Sequence, residues 1–170
     1  MIKSLHFEVI PHRDQRYPTI GDYWESPPGS GHWEIRVSDL GDWRMNLLVF
    51  VHEITELAQT ENDGIPEPVI KDFDVKFEID HDGSDAEPGD CPQAPYYQQH
   101  VFAECQERLL AQRLGINWTE YDQHCMAIWR SGVASGQDEF KLSPQAQFTT
   151  PVAECPGTAE DLRMRTESPD

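Results

Sequence analysis

The segment LLVFVHEITEL, residues 47–57, constrains the chain more than any other. Its apolar residues are dense enough for a buried helix, yet His52, Glu53 and Glu56 interrupt it. Burying such groups without partners is costly. Either they line a solvent-facing stripe, or the fold gives them something to hold. At about 100° per residue, His52 and Glu56 project together one turn apart, with Glu53 beside them. Two ligands at i and i+4 with an intervening Glu as general base is the logic of the His-Glu-x-x-His metallopeptidase helix. Here Glu56 stands where that motif has its second His, which makes the pattern less specific. A carboxylate is nevertheless a good ligand, and two His with one Glu suit a hydrolytic zinc.

A second pair has the same spacing. His100 and Glu104 lie in YYQQHVFAECQERLLAQRLG, a segment of helical composition, and Glu107 continues their stripe. Two helices that each offer His and then Glu could face one another across one site. Between them, PEPVIKDFDVKFEID carries Val69, Ile70, Phe73 and Phe77 at helical spacing. Asp74 falls on that apolar face, where an acid needs a partner, whereas Asp72 is expected to face solvent. His52, Glu56, Asp74, His100 and Glu104 therefore form a candidate metal-ligand set, with Glu53 as the candidate catalytic base. Glu107 has two open uses, pairing with an Arg or touching the metal. Against this stands chance: 31 acidic residues and seven histidines produce His-x-x-x-Glu pairs that need be no more than surface contacts. The repeated spacing and the misplaced Asp74 favour a shared site.

The rest of the chain is read around these helices. LHFEVI (residues 5–10) and HWEIRVS (residues 32–38) alternate apolar and polar residues and predict two strands, most simply an antiparallel sheet or hairpin. The Pro- and Gly-rich stretch between them, which holds Tyr17, Tyr23 and Trp24, reads as an ordered loop. Within it Arg13, Arg16 and Tyr17 could bind an anionic group of a substrate, or simply hold the loop. Ser38-Asp39 and Gly41-Asp42 offer capping chemistry ahead of the first helix, and Asn62-Asp63-Gly64 stops it. The third is expected to bury Val101, Phe102, Cys105, Leu109 and Leu110, and a short fourth helix is expected over residues 119–130. The loop EPGD ahead of the His100 helix could close over a site. Residues 1–132 form one α+β domain in this reading, and 133–170 a polar, Pro-punctuated tail, partly disordered.

A formal charge of −18, from 31 acidic against 13 basic residues, argues against direct nucleic-acid binding, which needs a basic footprint. The same charge suits an ordinary acidic protein, adaptation to high salt, or mimicry of DNA charge to occupy a DNA-binding protein. No run of eighteen apolar residues and no apolar leader stretch occurs, so no membrane association and a cytoplasmic location are expected. Cys91, Cys105, Cys125 and Cys155 form no C-x-x-C pair, and free thiols are expected, with Cys105 and Cys125 as small core residues. No Gly-x-Ser-x-Gly elbow, phosphate-binding glycine loop or activated cysteine is present.

The ordered segments IPHRDQRYPTIGDYW, WEIRVSDLGDWR, VHEITEL, DFDVKFE, EPGD, APY and the following H-x-x-x-E, ending near GINWTEYD, resemble a group of small, uncharacterised proteins encoded by bacteriophages and prophages. The resemblance spans roughly residues 7–122 and leaves out the tail and Cys155. It implies phage origin, hence the host-cell cytoplasm, and a zincin-like metal-binding fold; it brings no activity with it. Residues and resemblance together point to a metal-dependent hydrolase using a divalent ion. Zinc is the first choice and manganese or iron the alternatives, and the substrate is a peptide or another hydrolysable group. The rival is a noncatalytic acidic phage protein that binds a host or phage protein.

Overall fold

A computed structural model describes residues 1–81 and 86–134. Three strands form a mixed sheet in the order β1-β3-β2: β1 (Ser4–Ile10), β2 (Gly21–Glu25) and β3 (His32–Ser38). Four helices follow: α1 (Trp43–Asp63), α2 (Glu67–Asp80), α3 (Tyr97–Leu114) and α4 (Trp118–Ala134). The α+β class is as expected, but the sheet is not the antiparallel pair. β1 and β3 run parallel, with Phe7 opposite Ile35, and β2 pairs antiparallel with β3, with Tyr23 opposite Ile35. Parallel neighbours need a crossover, and the segment read as a loop supplies one by carrying β2 through the far edge. Its turn into β3 is fastened by Glu25, whose carboxylate accepts the backbone N–H groups of Gly29 and Gly31.

α1 begins and ends where its flanking chemistry dictates. The Asp42 side chain accepts the Arg44 N–H at the N-terminus, and Gly64, in the left-handed conformation at φ +71°, closes the C-terminus. The helix packs on β2 and β3 and against α3. Contacts of His52 with Glu107, Glu56 with His100 and Asp63 with Gln99 show that α1 and α3 run antiparallel. Two apolar clusters fill the interior. One gathers Trp33, Ile35, Leu57, Phe73, Phe77 and Tyr96, the other Val37, Leu40, Leu48, Val49, Ala111 and Tyr121. Fully buried side chains such as Leu48, Leu57 and Phe77 each contribute about 1.5–3 kcal/mol by leaving water. Along α1, the polar residues 52, 53 and 56 fall between Leu48–Val49 in one cluster and Leu57 in the other.

Several expectations are corrected. α3 buries Gln99, His100, Ala103, Glu107 and Ala111, while Phe102 and Leu109 are 50% and 62% exposed and Cys105 faces solvent. The small Ala103 and Ala111 let the helix approach its neighbours, and the polar groups beside them meet partners across the gap, so the apolar stripe turns outward. Asp72 is buried rather than solvent-facing. Cys105 and Cys125 are free thiols, but Cys91 is disulfide-bonded. The fourth helix runs longer than expected, and Trp129 Nε1 donates to the Pro18 carbonyl, tying it to the segment before β2. Beyond residue 134 the expected tail, with Cys155, lies outside the described residues. None of the described helices is long and apolar enough to cross a membrane.

Candidate metal centre

Between the two apolar clusters, α1 delivers His52 and Glu56 to the same point at which α3 delivers His100. His52 Nε2 lies 3.1 Å from His100 Nδ1, which lies 3.1 Å from Glu56 Oε2, and the third edge, His52 Nε2 to Glu56 Oε2, is 3.6 Å. Ligand bonds of about 2.0–2.1 Å at tetrahedral angles separate donor atoms by roughly 3.3–3.4 Å, so a triangle of this size matches the demand of a small divalent ion. These three residues are a group that could hold a metal ion, each offering one ligand atom within 4.8 Å of the others.

The outer atoms of the same side chains are oriented as well. His52 Nδ1 donates to Glu107 Oε2 at 2.9 Å, so the neutral ring would present its Nε2 lone pair to the triangle. Glu107 in turn accepts a short hydrogen bond from the Tyr121 hydroxyl of α4. Tyr23, on β2, donates its hydroxyl to Glu56 Oε1 at 3.0 Å. His100 Nε2 stands 3.8 Å from Asp90, in the short turn Pro88–Asp90 that precedes α3. A ligating His backed by a carboxylate is the usual support of a metal site, because it fixes the tautomer and raises basicity. The donor set and its backing therefore fit a divalent ion.

The electrostatics follow from burial and proximity. Burial alone would raise the Glu56 pKa, but hydrogen bonds with His100 and His52 outweigh it and hold the carboxyl down at about 2. Burial would lower the histidines; carboxylates outweigh it and raise both, Glu107 acting most on His52 and Glu56 on His100. Glu53 moves the other way. Burial pushes its pKa well above the usual carboxylate range, with His52 opposing and Glu56 and Asp22 adding to the rise. Its side chain rests against β2 at Gly21, where a Cβ would overlap the carboxyl. At Gly89 a Cβ would overlap the His100 ring, so each glycine leaves the space that one of these side chains fills.

A cavity of about 230 Å³ opens beside the triangle. Glu53, Asp74 and Glu104 line it together with His52, Glu56 and His100. Asp74 accepts the Tyr96 hydroxyl at 2.5 Å, and Glu104 forms a short ion pair with Arg108, one turn further along α3. Of the three loop residues, Tyr17 lines the cavity and donates to Asp22 at 3.2 Å. Arg16 makes a two-pronged pair with Asp22, at 2.6 and 2.8 Å, and lies over the Trp24 ring. Arg13 is at the surface near Asp14. Sequence reasoning did not pick out Tyr23 and Tyr121, which back the ligands from β2 and α4; the EPGD loop it did single out brings Glu87 and Asp90 to the cavity wall. Glu107 had a usable signal, since seven residues after His100 is two helical turns on the same face.

The chain matches no protein-family model, no curated protein and no solved structure, so the reading of this site rests on its own geometry.

Proposed function

We propose that the protein is a metal-dependent hydrolase in which His52, Glu56 and His100 hold the ion and Glu53 is the general base. The observation that carries this reading is the triangle of two imidazole nitrogens and one carboxylate oxygen, with the outer atoms of its members tied to Glu107 and Tyr23. Zinc suits a two-His, one-Glu set first, and manganese or iron suits the carboxylates around it. When bound, such an ion supplies Lewis acidity that makes water acidic near neutral pH and polarises the group under attack.

The chain's own residues do the rest. Glu53, adjacent to both α1 ligands and raised in pKa, takes the proton of the attacking water. The same burial that raises its pKa favours the protonated carboxyl, which then returns that proton to the leaving group. Asp74 and Glu104 stand by as further carboxylates of the cavity wall. Tyr17 and Asp22, the latter held by Arg16, form a polar border for the substrate. The carboxylates lining the cavity disfavour a polyanion, so a peptide or ester suits it better than a nucleic-acid phosphodiester.

The test is turnover of metal-loaded protein on a fluorogenic peptide library and on nitrophenyl esters, compared with Glu53→Gln. Chelator-sensitive turnover is expected to fall by about a hundredfold or more in the variant while its metal content is unchanged. Equal turnover in Glu53→Gln would remove the base. A folded, metal-binding chain with no turnover on either panel would transfer the reading to a noncatalytic acidic protein that binds a host or phage partner.

A further inference from the structure

β1 is an edge strand, and among the described residues no strand pairs with its outer side. Its apolar residues Leu5, Phe7 and Val9 stand opposite Trp33, Ile35 and Val37 and so share the face that the helices cover. Yet they are 40%, 39% and 38% exposed, against 5% or less for their three partners. The cause lies in how α1 sits. It lies over β2 and β3 and meets β1 through Phe7, whose ring centre is 4.3 Å from that of Phe50. The strand therefore overhangs its cover by one strand's width. An open edge with a half-covered apolar row is a template for another strand.

The other face of β1 says which strand fits. His6 and Glu8 project there, both exposed, with His6 2.7 Å from Glu34 and Glu8 3.5 Å from Arg36 on β3. The strand reads SLHFEVI, and its centre is Phe7. Reversed on itself about that centre, it sets Leu5 against Val9, Phe7 against Phe7, and His6 against Glu8 twice. The polar face of the joined sheet would then read Glu34, His6, Glu8, Arg36 from one copy into the next, acid and base alternating. On the covered face the two apolar rows would continue each other.

We propose that two copies of this chain associate through antiparallel pairing of β1 with β1 about a two-fold axis at Phe7, giving one six-stranded sheet. Such an interface is isologous: each copy offers the same patch, and the pairing closes without leaving a further edge on that side. Opposed charges directly across an antiparallel pair stabilise it and like charges oppose it. The association is independent of the metal, since β1 contributes no residue to the site.

Sedimentation equilibrium of the full chain tests it, with circular dichroism as the folding control. The wild type is expected to run at twice the mass of the chain at micromolar concentration. His6→Glu sets like charges against Glu8, and Glu8→Lys sets a cation against His6. Each is expected to weaken self-association by roughly tenfold or more. Mixed in equal amounts, the two variants set acid against base across both pairs and are expected to regain association. As a second measurement, Phe7→Cys is expected to cross-link between copies under mild oxidant, because residues directly opposite in such a pair lie about 4.5–5.5 Å apart. A monomeric wild type would overturn the proposal, as would a dimer that neither charge variant weakens, a mixture that fails to recover, or Phe7→Cys chains that cross-link no faster than wild type.

Discussion

The same four-residue spacing occurs on two helices that face each other, with different outcomes. On α1, His52 and Glu56 both enter the candidate metal centre. On α3, His100 enters, but Glu104 turns to Arg108 and the carboxylate behind His52 is Glu107. Taking about 100° per residue, Glu104 lies roughly 55° from the middle of the stripe formed by His100, Ala103, Glu107 and Ala111. Arg108, one turn further on and stacked over Trp118, captures it. Spacing alone thus nominates a pair of side chains, while the neighbour one turn away and the helix rotation decide which of them arrives.

That contrast can be broken in graded steps. The largest effect is expected at Glu107, which orients His52 without belonging to the triangle. Glu107→Gln should weaken zinc binding by about 10- to 100-fold in competition titrations with a chromophoric chelator. An unchanged affinity would mean that His52 is oriented by something else.

A smaller and opposite effect is expected at Asp74. Burial raises its pKa well above 3.8, so the folded chain binds a proton there that the unfolded chain has released. Stability from this group is present at low pH and falls as pH rises from the unfolded value through the raised one. Asp74→Asn should therefore raise the melting temperature of metal-free protein at pH 7 more than at pH 4. A variant that melts lower at pH 7 and also loses its metal would instead make Asp74 a ligand.

The smallest effect belongs to Glu104. Glu104→Gln removes an ion pair on the helix surface, worth about 0.3–0.5 kcal/mol, and should leave zinc affinity unchanged. A tenfold loss of affinity in the same titration would restore the symmetry between the two helices.

The elements that read clearly from sequence are those whose limits are set by local chemistry. Asp42 and Gly64 fix α1, and the alternation of HWEIRVS fixes β3. What escaped depends on distant partners. GDYWE is too short and too closely flanked by Pro and Gly to stand out as β2, and without β2 the two visible strands read as a hairpin rather than parallel neighbours. The buried face of α3 was hidden because Phe102 and Leu109 carry the apolar signal, while the polar His100 and Glu107 carry the contacts. In the site, α1 showed its ligands through the cost of burying them amid LLVFV. Tyr23 and Tyr121 act from two other elements, so no local pattern connects them to His52, Glu56 or His100, whereas Asp90 sits in the EPGD loop that leads into α3.

The proposed centre shares one ion between α1 and α3. Elemental mass spectrometry of tag-free protein, reconstituted with zinc and desalted, tests it most directly when His52→Ala and His100→Ala are run beside the wild type. Near-stoichiometric metal is expected in the wild type, and its loss in both folded variants. Metal retained in His100→Ala but lost in His52→Ala would contradict the shared centre and confine any site to α1.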